Sequence, residues 1–167
     1  MKYTSAEAAK LLKALNEQHD MLDSKEDQSS TFIAALSEDI ESVRPEYDYE
    51  ATRQQLEEIE RKIRTVKHAI NVFNTTHKVP GFDMTIDEVL VYMPQLSERK
   101  RKLYPMASAL PKTRQRGGTQ SNIIDYRYTN YDVKKAEADL TATGDLLARL
   151  QNALDIVNTT EKMEIEI

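Results

Sequence analysis

The chain has 167 residues, a formal net charge of −5, four glycines, five prolines and no cysteine. That composition suits a mainly helical domain, argues against a β-sandwich or a disordered chain, and excludes disulfides, thiol chemistry and thiolate metal sites. Nothing approaches the ~20 apolar residues of a membrane span. The opening Met1–Glu7 lacks the apolar run of a signal peptide, so a cytoplasmic protein without a membrane partner is expected.

In chain order, Ser5 reads as the N-cap of a first helix over 5–22, with Ala8, Leu11, Leu15 and Leu22 on one face. The polar run 24–30 reads as a break. Residues 31–36, Thr-Phe-Ile-Ala-Ala-Leu, are ambiguous: Ile33, Leu36, Ile40 and Val43 keep helical spacing, yet a short apolar piece between turn-formers suits a buried strand, which is the reading preferred here. Pro45 disfavours helix before it. Asp48 then caps a long helix over 49–74. Its seam of Tyr49, Thr52, Leu56, Ile59, Ile63, Val66, Ile70 and Phe73 alternates steps of three and four, as in a coiled coil. Glu57–Arg61, Glu58–Lys62 and Glu60–Arg64 are spaced as helical ion pairs.

Val79-Pro80-Gly81 turns the chain, and Thr85 with Glu88 forms a capping box that opens a helix over 86–110. Pro94 is expected to kink or restart it. Arg116-Gly117-Gly118-Thr119-Gln120-Ser121 reads as a mobile tip. The β-branched and aromatic run 123–129 reads as a strand. A last long helix covers 132–158, with Val133, Ala136, Leu140, Thr143, Leu147, Leu150, Leu154 and Val157 as its seam. The tail 163–167 alternates apolar and acidic residues and suits a strand beside 123–129 and 31–36. The expected fold is therefore a single mainly α domain over 1–167: a long antiparallel helical bundle or coiled coil with a small β element.

Two of these helices are written alike. Ile63, Val66, Ile70 and Phe73 correspond to Leu147, Leu150, Leu154 and Val157, and both segments close on Asn-Thr-Thr. The plainer reading makes Asn74 and Asn158 helix C-caps, since Asn tolerates the left-handed conformation. The functional reading is a polar pocket of Asn74, Thr75, Thr76, Asn158, Thr159 and Thr160, with His77 beside it, serving an enzyme or a small-ligand or metal binder.

Residues 49–162 resemble the septicolysin-like bacterial proteins. The likeness rests on Ile70-Asn71-Val72-Phe73-Asn74-Thr75-Thr76, Thr85-Ile86-Asp87-Glu88, Arg99-Lys100-Arg101-Lys102-Leu103, Ile123-Ile124-Asp125-Tyr126 and Leu154 to Thr160. It implies a helical hairpin-type protein that associates with itself, and it carries over no catalytic residues.

Charge is segregated. Acidic residues dominate from Glu17 to Glu60, whereas 99–116 carries Arg99, Lys100, Arg101, Lys102, Lys112, Arg114 and Arg116 with no acid between them. Opposed blocks of this kind suit self-association or a charged partner. His19, His68 and His77 share no metal-ligand spacing, and hydrolase and phosphate-loop signatures are absent. No catalytic residue, cofactor or metal is assigned. The leading expectation is a non-enzymatic, self-associating helical protein. The alternative is a nucleic-acid-binding module using Arg99, Lys100, Arg101, Lys112, Arg114 and Arg116 next to a tyrosine-rich stretch, which the acidic total charge disfavours.

Overall fold

The computed structural model describes residues 1–115 and 125–167. In chain order these form β1 (Lys2–Thr4), α1 (Ser5–Ser29), α2 (Ile40–Val43), α3 (Tyr49–Thr76), α4 (Ile86–Ala107), β2 (Lys112–Arg114), β3 (Tyr126–Tyr128), α5 (Val133–Thr160) and β4 (Lys162–Glu164). The fold is mainly α with a small β component. It divides into two compact units, one of Met1–Thr76 with Val157–Ile167, the other of His77–Ile156.

The first unit is an antiparallel helical hairpin. His19 of α1 faces Glu60 of α3 at 3.6 Å, and farther along α1 Glu26 pairs with Arg53, earlier in α3. Ala8 and Leu15 from α1 and Leu56, Val66 and Phe73 from α3 are buried in it. The expected α3 seam is therefore realised in its middle and end, although Tyr49 at its start is exposed. β1 and β4 pair antiparallel, Lys2 opposite Glu164 and Thr4 opposite Lys162, and β4 packs on α3. The two chain ends are stitched by Met1 and Ile165, each donating its backbone nitrogen to the other's carbonyl at 2.9 Å. Val157, Met163 and Ile165 complete this core.

The second unit is also an antiparallel hairpin. Arg149 lies over the Phe82 ring at 5.6 Å just ahead of α4, Lys100 reaches Gly144, and the Tyr131 hydroxyl donates to the Met106 carbonyl at 3.1 Å. Rising numbers on α4 thus meet falling numbers on α5. Of this unit's residues, Val79, Ile86, Val89, Leu96, Ala136, Leu150 and Leu154 are buried, and Thr143 with them. Its hydroxyl returns to the Asp139 carbonyl at 2.7 Å, so the buried polar atom is satisfied. β2 and β3 pair antiparallel as a ribbon between the two helices.

Local sequence explains most element starts. In α4, Thr85 accepts from the Glu88 backbone N–H at 3.2 Å while Glu88 accepts from the Thr85 N–H at 2.7 Å. That satisfies orphan donors at both positions. Asp48 accepts from the Ala51 N–H at 3.0 Å and Asp132 from the Lys134 N–H at 2.9 Å, capping α3 and α5.

Several expectations are corrected. The cap of α1 is Thr4, not Ser5, because Thr4 and Glu7 make the reciprocal box that Ser5 has no partner for. The break at 24–30 does not occur: α1 runs to Ser29, since Glu26 in that polar stretch is held from across the hairpin by Arg53 and Tyr47. Residues 31–36 form no strand. Ile33 is 95% exposed, Leu36 is fully exposed, and the Glu38 carboxylate accepts from the Ala35 N–H at 2.8 Å, closing a turn. In the 123–129 region the strand is Tyr126–Tyr128, which pairs with Lys112–Arg114 rather than with the tail. Residues 123 and 124 and the tip 116–121 lie outside the described residues. The tail strand is centred on Met163 and pairs with β1, which the short polar Lys2-Tyr3-Thr4 did not announce. α4 is one continuous helix through Pro94 and Pro105 and stops at Ala107, short of 110. Both proline rings sit on exposed positions, where the lost N–H donor is least costly.

Candidate interaction surfaces

Asn74 and Asn158 are not helix ends. α3 continues to Thr76 and α5 to Thr160, and among the described residues no residue other than glycine takes a positive φ. The C-cap reading is thus overturned. Near the end of α3 the threonine hydroxyls turn back onto the helix: Thr75 donates to the Asn71 carbonyl at 2.9 Å and Thr76 to the Val72 carbonyl at 2.7 Å. Asn74 and Asn158 are half-buried, whereas Thr75, Thr76, Thr159 and Thr160 are exposed. The last turn of α5 runs into β4, and β4 packs on α3. The two Asn-Thr-Thr segments therefore belong to the sheet-bearing end of the first unit. His77 opens the second unit; it is half-buried, and its carbonyl accepts from the Ile86 N–H at 3.0 Å, closing the turn ahead of α4.

The basic block of 99–116 is divided by the fold. Arg101 is committed to Glu98, its Nε donating at 2.9 Å, and this hydrogen bond holds the Glu98 carboxyl below its usual range and raises Arg101. Arg99 lines a groove with Leu103 of α4 and Asp139, Ala142, Thr143 and Leu146 of α5. Lys100 lies against Gly144. Lys112 and Arg114 stand apart from these on β2, and Arg116 lies outside the described residues.

The ribbon β2–β3 is the feature that reading the chain in order missed. All six of its residues are exposed. Lys112 is opposite Tyr128 and Arg114 is opposite Tyr126, so these four side chains share one face, while Thr113 and Arg127 occupy the other. The Lys112 ammonium lies 4.0 Å from the Tyr126 ring centre and 5.4 Å from that of Tyr128. On the back face, Gln115 with its carboxamide oxygen toward Arg127 accepts from the guanidinium Nη2 at 2.9 Å. The Gln115 N–H donates to Asp125 at 2.8 Å and the Thr129 N–H to Pro111 at 3.1 Å, extending the ladder at both ends. Alternating β-spacing in the run 125–129 was the available signal, but it could not name the partner strand.

Acidic side chains cluster at the far end of the first hairpin. Glu26, Glu46 and Asp48 line a concavity with Leu22, Lys25 and Tyr47. Its key carboxylate, Glu26, is already shared by Tyr47 and Arg53. Among the described residues no three His, Asp or Glu side chains converge as a metal ion would need. Asp83 is paired with Lys78, whose hydrogen bond lowers the Asp83 carboxyl. Glu88 serves the cap of α4, and the Thr85 backbone N–H lowers it likewise. Among the described residues no helix is long and apolar enough to cross a membrane.

No protein-family model matches this chain, and no curated protein matches its sequence. Its fold is similar to that in a structure titled "Crystal structure of a functionally unknown conserved protein from Corynebacterium diphtheriae", at 15% identity and a TM-score of 0.58, covering 98% of this chain and 100% of the other. At that identity the likeness is one of fold.

Proposed function

We propose that this is a non-enzymatic helical protein that works as an assembly of identical copies. The observation that carries the reading is an exposed apolar stripe.

Ile33, Leu36, Ile40 and Val43 are all exposed, at steps of three, four and three. Only the last four residues of that run, Ile40–Val43, are helical. A second copy would supply the apolar surface that lets the helical stripe extend back toward Ile33. The resemblance to septicolysin-like proteins, which implies self-association, points the same way.

Light scattering on the eluting protein at tens of micromolar tests this. A dimer or larger assembly is expected, and the double variant I33E/L36E is expected to shift it to monomer. A wild-type monomer at that concentration overturns the reading. An assembly that survives I33E/L36E removes this segment as the interface.

A further inference from the structure

We infer that one face of the β2–β3 ribbon is a binding platform for single-stranded nucleic acid. The face carries Lys112 and Arg114 on one strand and Tyr128 and Tyr126 opposite them, so a row of two cations lies beside a row of two rings. Phosphates need the first and bases the second. Tyr126 and Tyr128 are 45% and 62% exposed, so neither ring is spent on the core. Lys112 covers both at cation–π distance. Such a lysine keeps the rings ordered in the free protein and can swing to a phosphate as a base takes its place, because its stem is long and, among the described residues, no carboxylate holds its charge in a salt bridge.

The spacing selects single strands. Residues two apart on a strand stand about 6.7 Å apart on one face. Successive bases in a duplex rise only about 3.4 Å along each strand, so a stacked helix cannot set consecutive bases on Tyr126 and Tyr128. A stretched single strand can, with its backbone running along Lys112 and Arg114. Arg127, on the back face and bonded to Gln115, stiffens the ribbon rather than contacting the ligand. Tyr131 anchors the base of the ribbon to the C-terminal turn of α4 through the Met106 carbonyl. The platform therefore projects from a fixed support, with Arg99, Lys100 and Lys102 exposed on the last turns of α4 to attract a polyanion toward it.

The competing partner for a basic face is an acidic polypeptide. Two tyrosines ranged alongside the cations favour bases, since carboxylates have no use for stacking rings.

Fluorescence anisotropy with labelled oligothymidylate, oligouridylate and a DNA duplex, at about 50 mM and about 200 mM salt, tests the platform on the whole chain. Single strands are expected to bind in preference to duplex, with an affinity that falls as salt rises. K112Q should lower the slope of log affinity against log salt by about 0.7, one phosphate contact on a single strand. Y126A/Y128A should weaken binding at least fivefold at unchanged slope, and Y126F/Y128F should restore it, with helical circular dichroism unchanged in all variants. No binding at the lower salt overturns the proposal. So does binding that ignores Y126A/Y128A, or displacement by polyglutamate as effective as displacement by unlabelled oligonucleotide; these outcomes mark plain charge attraction and an acidic polypeptide partner respectively.

Discussion

The Tyr47 hydroxyl donates to Glu26 Oε1 at 2.7 Å, tying the segment that enters α3 to the C-terminal part of α1. Arg53 of α3 pairs with the other oxygen of the same carboxylate. Glu26 is only 13% exposed, against 42% for Arg53, so the carboxylate is the inner partner and the one whose removal leaves the others unmatched. E26A is expected to destabilise the chain by about 1–3 kcal/mol, the usual cost of stranding partly buried polar groups. Y47F, which deletes one of the two bonds and leaves the carboxylate charged and paired, should cost roughly 1 kcal/mol or less. Chemical denaturation of both variants checks the order; equal effects would mean that the Arg53 pair contributes nothing.

Burial separates apolar residues that look alike in sequence. Leu150 is wholly buried and Leu36 wholly exposed. L150A should cost about 2–5 kcal/mol through lost transfer energy and the cavity left behind. L36A should leave monomer unfolding within about 0.5 kcal/mol of wild type, and any effect on it should appear only at concentrations where copies associate. Urea midpoints measured across a range of protein concentrations distinguish the two.

How far this was legible depends on the range of the interaction that decides each element. The α3 and α5 stripes were readable because Leu56, Val66 and Phe73, or Leu150, Leu154 and Val157, recur at helical steps that one segment encodes by itself. The caps at Thr85 and Asp48 were readable for the same reason, since donor and acceptor lie within three residues. The extension of α1 through 24–30 was not, because Glu26 takes its partners from Arg53 and Tyr47. The strand expected at 31–36 failed because apolar character was taken as burial, and nothing local told that Ile33 and Leu36 face outward. Of the candidate surface, Lys112 and Arg114 were recognised, but within a basic run of 99–116. Their alignment with Tyr128 and Tyr126 is a matter of register between strands, which composition does not carry.

The capping boxes should be worth more than their size suggests, because each starts a long helix. Thr4 and Thr85 both accept from the N–H three residues on while the glutamate there accepts in return. T4A and T85A should each cost about 1 kcal/mol, additive in the double variant because they serve different units. Thermal melts followed by circular dichroism read both; a double variant much worse than the sum would mean that the two ends act together.

Acid should loosen the helices in a defined window. Glu58 is held down to about 2 from an ordinary 4.5, first by its hydrogen bond from Arg61 and then by Lys62. Glu7 and Glu88 are lowered by the backbone N–H groups they cap, and Glu41 by Arg44. A carboxyl whose folded value lies below its unfolded one contributes its stability in full above the unfolded value and loses it as pH falls toward the folded one. For Glu58 that window runs from about 4.5 down to about 2. Unfolding by urea should therefore become easier across it. E58Q should flatten part of that decline, and added salt should shrink the difference because the pair is exposed. A stability that rises on acidification through this range would contradict the assignment.

One substitution should strengthen the fold. Gly144 lies inside α5, where glycine costs a helix roughly 0.5–1 kcal/mol relative to alanine through the freedom it surrenders on folding. Glycine in such a place is usually kept for close approach by a neighbouring backbone. Here a Cβ would meet only the Cε and Nζ of Lys100, each at 3.9 Å, an ordinary contact with the far end of a flexible side chain. G144A should accordingly raise the stability of the second unit by about 0.4–1 kcal/mol. If the melting temperature falls instead, α4 and α5 approach each other at this point more closely than the Lys100 contact allows, and the glycine is required for their packing.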